Sequence, residues 1–357
     1  MKKLFVFVWL IFLLTTCKSD EKIRLEYFPE RWHYGEAPKL VFSGLQEKGV
    51  KTLYFEVDTF LRGGAKVRDT IVLVGMRNMP LGPHTVKFFI RYPDGRKQVI
   101  KKKFVLYAAK PPRKLDYEIV AEYPHDIHAF TQGLEFSGDT LYESTGQYGK
   151  SSLRKTDFTT GKILHIHRFS PKIFAEGLTI RGDSVLVLTW QNGKGFVFDR
   201  NFKQLGSFPY KKSKEGWGLC HNEKYIFKSD GTEKIWRLDP QTLAEKDFIP
   251  VYAYQNKIKR INELEWVNGW IFTNIWQKNG IAVIDPKTGE VKYVMDLSEL
   301  LRKVKNHPEL DVLNGIAWHR GRNTLFVTGK NWNKIFELRL KFPKNSSAAE
   351  HKPLPTR

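Results

Sequence analysis

The chain has 357 residues, of which 41% are hydrophobic and 14% aromatic, and it carries a formal net charge of +21. This length suggests two domains rather than one, and the apolar content excludes a disordered chain. Its two cysteines, Cys17 and Cys220, exclude a disulfide framework once Cys17 is engaged elsewhere.

Met1-Lys-Lys3 opens on an apolar run from Leu4 to Leu14. That run is too short for a bilayer span and has the form of a secretory leader. It ends in Leu14-Thr-Thr-Cys17, which resembles a bacterial lipoprotein cleavage site. Residues 1–17 are therefore expected to be a leader ending at a lipidated Cys17. The protein would then be exported and held at the bacterial cell envelope, in the periplasm or on the outer membrane. The alternative is an ordinary secretory peptide with an incidental Cys. Losing Lys2 and Lys3 lowers the charge to +19. An exported protein seldom meets nucleic acid, so anionic lipid, polysaccharide or plain solvation accounts better for the basic surface.

Residues 18–22 read as a polar tether. Residues 23–108 are all β by pattern, with alternation in 51–57, 69–74, 84–91 and 97–106 and a turn at Tyr92-Pro-Asp-Gly95. About seven short strands of this kind suggest a small immunoglobulin-like β-sandwich. It carries no catalytic constellation, so its expected role is spacing or docking, or no more than a stalk. Residues 109–114, Ala-Lys-Pro-Pro-Arg-Lys, read as a stiff basic linker.

From 115 to 342 a repeat emerges. Its segment starts are Gly133-Leu-Glu-Phe, Gly177-Leu-Thr-Ile, Gly218-Leu-Cys-His, Glu263-Leu-Glu-Trp and Gly315-Ile-Ala-Trp, separated by 44, 41, 45 and 52 residues. Each start leads through a turn into a further apolar strand. Four strands in some 40–45 residues mark a β-propeller blade, so five copies predict a five-bladed β-propeller. The long last spacing is assigned to a helical insertion over 296–305, and 117–122 is expected to complete the last blade. Residues 343–357 read as a polar tail.

Propeller geometry turns register into proximity. The residues just before the repeat starts, Gln132, Glu176, Trp217, Asn262 and Asn314, should ring one channel mouth. The turns after the second strands add Glu143, Trp190, Asp230, Trp276 and Lys330. For any one of these residues, a mutually satisfied polar rim is the simpler explanation. Three Trp gathered with a carboxylate and an amine on an exposed mouth imply a bound molecule. The histidines at 125, 165 and 167 are expected to be structural or superficial, since no paired His/Asp ligand motif appears.

Several ordered motifs resemble the plant and bacterial glutaminyl cyclases (glutamine cyclotransferases). They include Tyr123-Pro-His-Asp-Ile-His-Ala-Phe-Thr-Gln-Gly-Leu134, Phe174-Ala-Glu-Gly-Leu178, Gly216-Trp-Gly-Leu219, Asn262-Glu-Leu-Glu265, Asn274-Ile-Trp-Gln277 and Phe326-Val-Thr-Gly-Lys-Asn-Trp332. The resemblance covers roughly 117–342 and not the sandwich. It implies cyclisation of an N-terminal glutaminyl residue to pyroglutamate with release of ammonia. Carried over by position, Glu176 would be the acid/base, and Asn262 and Lys330 its polar partners. Phe130, Gln132, Phe174, Trp190, Trp217 and Trp276 would form the substrate pocket. The partners implied are peptides or proteins with an N-terminal Gln, a membrane reached through Cys17, and no nucleic acid; the protein is expected to act as a monomer. No cofactor is required, although plant members of the family can hold a structural calcium in the channel.

The residues support that chemistry independently. Ring closure needs a neutral amine, a polarised carbonyl and a protonated leaving nitrogen; aromatic neighbours raise a carboxyl pKa and a nearby Lys330 pulls it down, so the sequence leaves that balance open. Two rivals are a non-enzymatic propeller that binds protein or glycan at a Trp-rich face, and a metal-dependent lactonase. The lactonase would need a cage of carboxylates and amides where this chain places Trp and Lys.

Overall fold

The computed structural model describes residues 22–68, 70–73, 76 and 79–343. The expected leader, Cys17 and the tail beyond 343 lie outside the described residues. The chain is all-β, and no helix among the described residues is long and apolar enough to cross a membrane. It divides into two compact units, one built from segments up to Glu30, Ala37–Val74 and Thr85–Lys103, the other from the remainder.

In the first unit Lys39–Ser43 pairs with Arg24–Tyr27 and Thr70–Val72. A second sheet runs in the order Lys97–Tyr107, Gly82–Arg91, Thr52–Val57, Leu61–Lys66. Alternation decides which face is buried: Leu53, Val57, Val86, Phe88 and Ile90 are inside, while Tyr54 and Phe89 are exposed. Phe42 meets Phe88 edge-on at 5.3 Å between the sheets. The Tyr92–Gly95 turn forms as its composition predicts, with Gly95 at φ +89°.

The second unit is built on five main sheets, beside a small hairpin of Tyr252–Ala253 with Asn256–Lys257. Four take their strands consecutively: Thr131–Ser137 to Lys162–Arg168, Ala175–Arg181 to Gln204–Pro209, Leu219–His221 to Glu245–Pro250, and Ile261–Val267 to Val291–Asp296. The fifth joins Leu313–His319, Thr324–Gly329 and Lys334–Lys341 to the early strand Asp116–Pro124. An early strand of this unit is thus hydrogen-bonded to its last, covering the edge that Lys334–Lys341 would otherwise present. The first strand of each sheet touches the first strand of the next, and that of the fifth touches that of the first. Apolar side chains fill the spaces between sheets, as with Leu178, Val187 and Phe198 against Tyr142 and Leu153.

The repeat glycines make this approach feasible. A Cβ on Gly133 would lie 2.4 Å from Leu178 N; one on Gly177 would lie 2.6 Å from Trp217 O; one on Gly218 would lie 2.1 Å from Asn262 O. Backbone therefore packs on backbone from sheet to sheet. The fourth repeat carries Glu263 instead, and its carboxylate accepts from Leu134 N at 3.3 Å and Ile316 N at 3.1 Å, joining the first and fifth sheets to the fourth.

Two expectations change. The helix spans only Ser298–Leu301, not 296–305. Beyond it, Lys305 N donates to Asn333 Oδ1 and His307 bonds Asn331 O, so contacts with the fifth sheet outcompete helix propagation. Arg113–Lys114, read as the end of a linker, instead add a parallel strand beside Tyr293–Val294.

Candidate active site

The residues singled out by register lie at irregularities in the first strands. Pairing with the second strand slips between Thr131 and Gly133, Ala175 and Leu178, Ile261 and Leu264, and Leu313 and Ile316. Gln132, Glu176, Asn262 and Asn314 fall inside those slips. A bulged residue leaves the alternation of its strand, which lets its side chain be re-aimed. The freed backbone is satisfied by neighbours: Ser144 Oγ donates to Glu176 O at 2.5 Å and Gly177 N to Trp217 O at 2.7 Å.

Glu176 is buried, at 5% exposure, and accepts from Gln132 Nε2 at 3.1 Å. Asn314 Nδ2 in turn donates to Gln132 Oε1 at 3.3 Å and to Thr131 O at 2.9 Å, fixing the glutamine's orientation. Burial pushes the Glu176 carboxyl well above the usual carboxylate range; Lys330 pulls it back and Glu215 pushes it further up. Burial likewise lowers the Lys330 ammonium, with Glu176 and Asp311 restoring part of the loss.

Aromatic rings surround these groups. Lys330 Nζ lies 4.6 Å from the Phe130 ring centre, a cation–π distance. Phe130 meets Phe174 at 6.2 Å, Phe174 meets Trp190 at 5.4 Å, and Trp217 meets Trp276 at 5.9 Å, all edge-on. Asn262 is 2% exposed, and its Oδ1 has no hydrogen-bond partner among the described residues.

Two register residues are placed elsewhere. Glu143 stands inside its strand, three residues before the position equivalent to Trp190, which is Gly146. It accepts from Thr131 Oγ1 at 2.7 Å and bonds His125 at 3.0 Å in a separate polar cluster. Asp230 is occupied locally by Thr232 and the Trp236 indole.

One residue escaped sequence reasoning. Glu215 Oε2 accepts from both Trp190 Nε1 at 2.9 Å and Trp217 Nε1 at 2.8 Å, and its Oε1 accepts from Gln191 Nε2 at 3.1 Å. The only signal was an acid two residues before a repeat Trp.

A family model described as glutamine cyclotransferase matches residues 97–340. The chain belongs to the glutamine cyclotransferase family. It is 44% identical over 230 residues to an Arabidopsis thaliana glutaminyl-peptide cyclotransferase, spanning 63% of this chain and 72% of that protein. It is also similar to the crystal structure of the Myxococcus xanthus glutaminyl cyclase, with 36% identity and a TM-score of 0.59 over 64% of this chain and 98% of the other. Among the described residues no group of three or more His, Cys, Asp or Glu is placed to hold a metal. Three carboxylates accept from protein donors of other sheets: Glu263 as above, Glu265 from Trp318 N at 2.8 Å and Glu135 from Thr179 Oγ1 at 2.7 Å.

Proposed function

We propose that this chain is a glutaminyl-peptide cyclotransferase in which Glu176 moves the proton. The observation that carries the mechanism is a buried carboxyl of raised pKa, bonded to Gln132 and in the fields of Lys330 and Glu215. The neutral α-amine of an N-terminal glutamine attacks its own side-chain amide carbon. As that C–N bond forms, ionised Glu176 takes one proton from the attacking nitrogen and charge gathers on the carbonyl oxygen. Lys330 or Asn262 steadies that oxygen, a role whose loss typically costs about 10²-fold or more in rate. Glu176 then gives its proton to the amide nitrogen, the C–N bond to it breaks, the carbonyl re-forms and ammonia leaves. A carboxyl of raised pKa suits both halves of this task near neutral pH.

Phe130, Gln132, Phe174, Trp190, Trp217 and Trp276 line the pocket for the glutaminyl side chain in this reading. The closed succession of four-stranded sheets supports a five-bladed β-propeller over 115–342, with an immunoglobulin-like sandwich over 23–108 ahead of it. The leader motif supports export and anchoring through a lipidated Cys17, which intact-mass measurement of the membrane fraction tests. A monomeric state is tested by light scattering. No metal takes part, since the closure is intramolecular and entropically favoured.

The deciding experiment is ammonia release from a Gln-Xaa dipeptide, with and without chelator. Folded protein that releases none sinks the enzyme assignment, and loss on chelation sinks the metal-free mechanism.

A further inference from the structure

The loop ahead of the third sheet is anchored with unusual care. Glu245 accepts from the backbone N–H of Lys211 at 3.1 Å, Lys212 at 2.7 Å and Ser213 at 3.1 Å, and from the Ser213 hydroxyl. Lys228, fully buried, donates to Ser213 Oγ at 2.5 Å, to Glu215 O at 2.6 Å and to Glu245 Oε1 at 3.3 Å. A buried ammonium and a buried carboxylate are costly to desolvate, and here both are spent on one short loop. That loop presents the side chain of Glu215.

The use made of Glu215 is uneven. A carboxylate offers about four acceptor positions. Two indole N–H groups occupy Oε2, and one amide donor occupies Oε1. One position on Oε1 is left for a donor, beside two Trp that bound the pocket. A peptide N-terminus is a donor of fitting charge and size.

We propose that Glu215 is the docking carboxylate for the substrate's α-amino group and also holds the indoles of Trp190 and Trp217 in place. The inference rests on the cyclase reading of this site. It explains how a site could select N-terminal glutamine over internal or N-acylated glutamine: an acylated nitrogen brings no positive charge, and an internal residue cannot reach. Docking differs from chemistry. The amine is captured as ammonium, gives up a proton before attack, and remains hydrogen-bonded to Glu215 in either state. No bond to Glu215 forms.

The test uses the full chain with Glu215→Gln, which keeps size and one acceptor oxygen, and Glu215→Ala, which keeps neither. Ammonia release from a Gln-Xaa dipeptide gives KM and kcat across pH. Indole fluorescence gives binding of a non-cyclisable dipeptide and of its N-acetyl form. Losing a charge-assisted hydrogen bond should raise KM by about ten- to a hundredfold in Glu215→Gln, with kcat changing far less. The preference for a free over an acetylated N-terminus should collapse, and the acid limb of the rate profile should move to lower pH because a negative neighbour of Glu176 is gone. Glu215→Ala should in addition change the indole emission. A KM within twofold of the parent, or an undiminished free-amine preference in Glu215→Gln, overturns the proposal. If the parent chain binds the free dipeptide but releases no ammonia, the cyclase reading fails while the binding comparison still decides the role of Glu215.

Discussion

Replacing Glu176 by Gln separates a proton carrier from a structural carboxyl. The amide has the same shape, and its oxygen can still accept from Gln132 Nε2, now 3.1 Å from Glu176 Oε1. The backbone contacts of the bulge, Ser144 to Glu176 O and Gly177 N to Trp217 O, do not involve the side chain. The fold should therefore persist. Loss of a general acid/base costs about 10²–10⁴-fold, or about 2.7–5.4 kcal/mol of barrier at about 1.36 kcal/mol per tenfold. Stability should move the other way. Because burial raises the folded pKa of Glu176, the folded state binds more protons than the unfolded one. That share of stability is complete below the ordinary carboxyl pKa and is lost as pH rises through the raised folded value. The variant has no proton to lose, so its melting temperature at pH 8 should equal or exceed the parent's. Ammonia release and thermal unfolding at pH 5 and 8 read both quantities. A variant that melts several degrees lower and loses activity only in proportion refutes the reasoning, as does one that turns over normally.

Lys330→Met removes the cation that holds the Glu176 carboxyl down, so the acid limb of kcat/KM should shift to higher pH; an unmoved limb means the two groups do not communicate. Gly177→Ala places a Cβ 2.6 Å from Trp217 O and 2.7 Å from Gly218 Cα, both backbone atoms that cannot rotate away. Overpacking of this kind costs about 1–3 kcal/mol, or about 2–12 °C in a unit of this size, and a parent-like melting curve would show that the strands separate easily. Lys228→Met strands Glu245 and frees the loop under Glu215. It should lower the melting temperature by about 6–12 °C, for a loss of about 3 kcal/mol, and raise KM, whereas a stability change with parental KM would disconnect this anchor from substrate binding.

The sheet order was legible because three repeat starts, Gly133, Gly177 and Gly218, put a glycine where backbone meets backbone, and Gly315 keeps the pattern at a position of positive φ. The aromatic and amide members of the site followed from the same register. Glu143 did not, because the first repeat reaches its turn at Gly146 and the position called equivalent lies inside the strand. The slips that free Gln132 and Glu176 from their strands leave no mark in hydropathy, since a bulge changes pairing and not composition. Glu215 holds the register of Phe130 and Phe174, two residues before the site position, but it puts an acid where those repeats put a ring, so a reading for shared residue types passed over it. The insertion's helical periodicity, with Leu297, Leu300 and Val304 buried, was real; the hydrogen bonds of Lys305 and His307 to the fifth sheet set where the helix stops.

Glu263 has a bearing on assembly as well as on the finished fold. Its two backbone donors, Leu134 N and Ile316 N, come from strands at opposite ends of the repeat series. Until both arrive, the carboxyl remains in water and ionised at neutral pH. Once they enclose it, burial drives its pKa well above the usual range. Joining the two ends of the series therefore favours the protonated carboxyl, so mild acid should favour closure and alkali should weaken the junction of the first and fifth sheets.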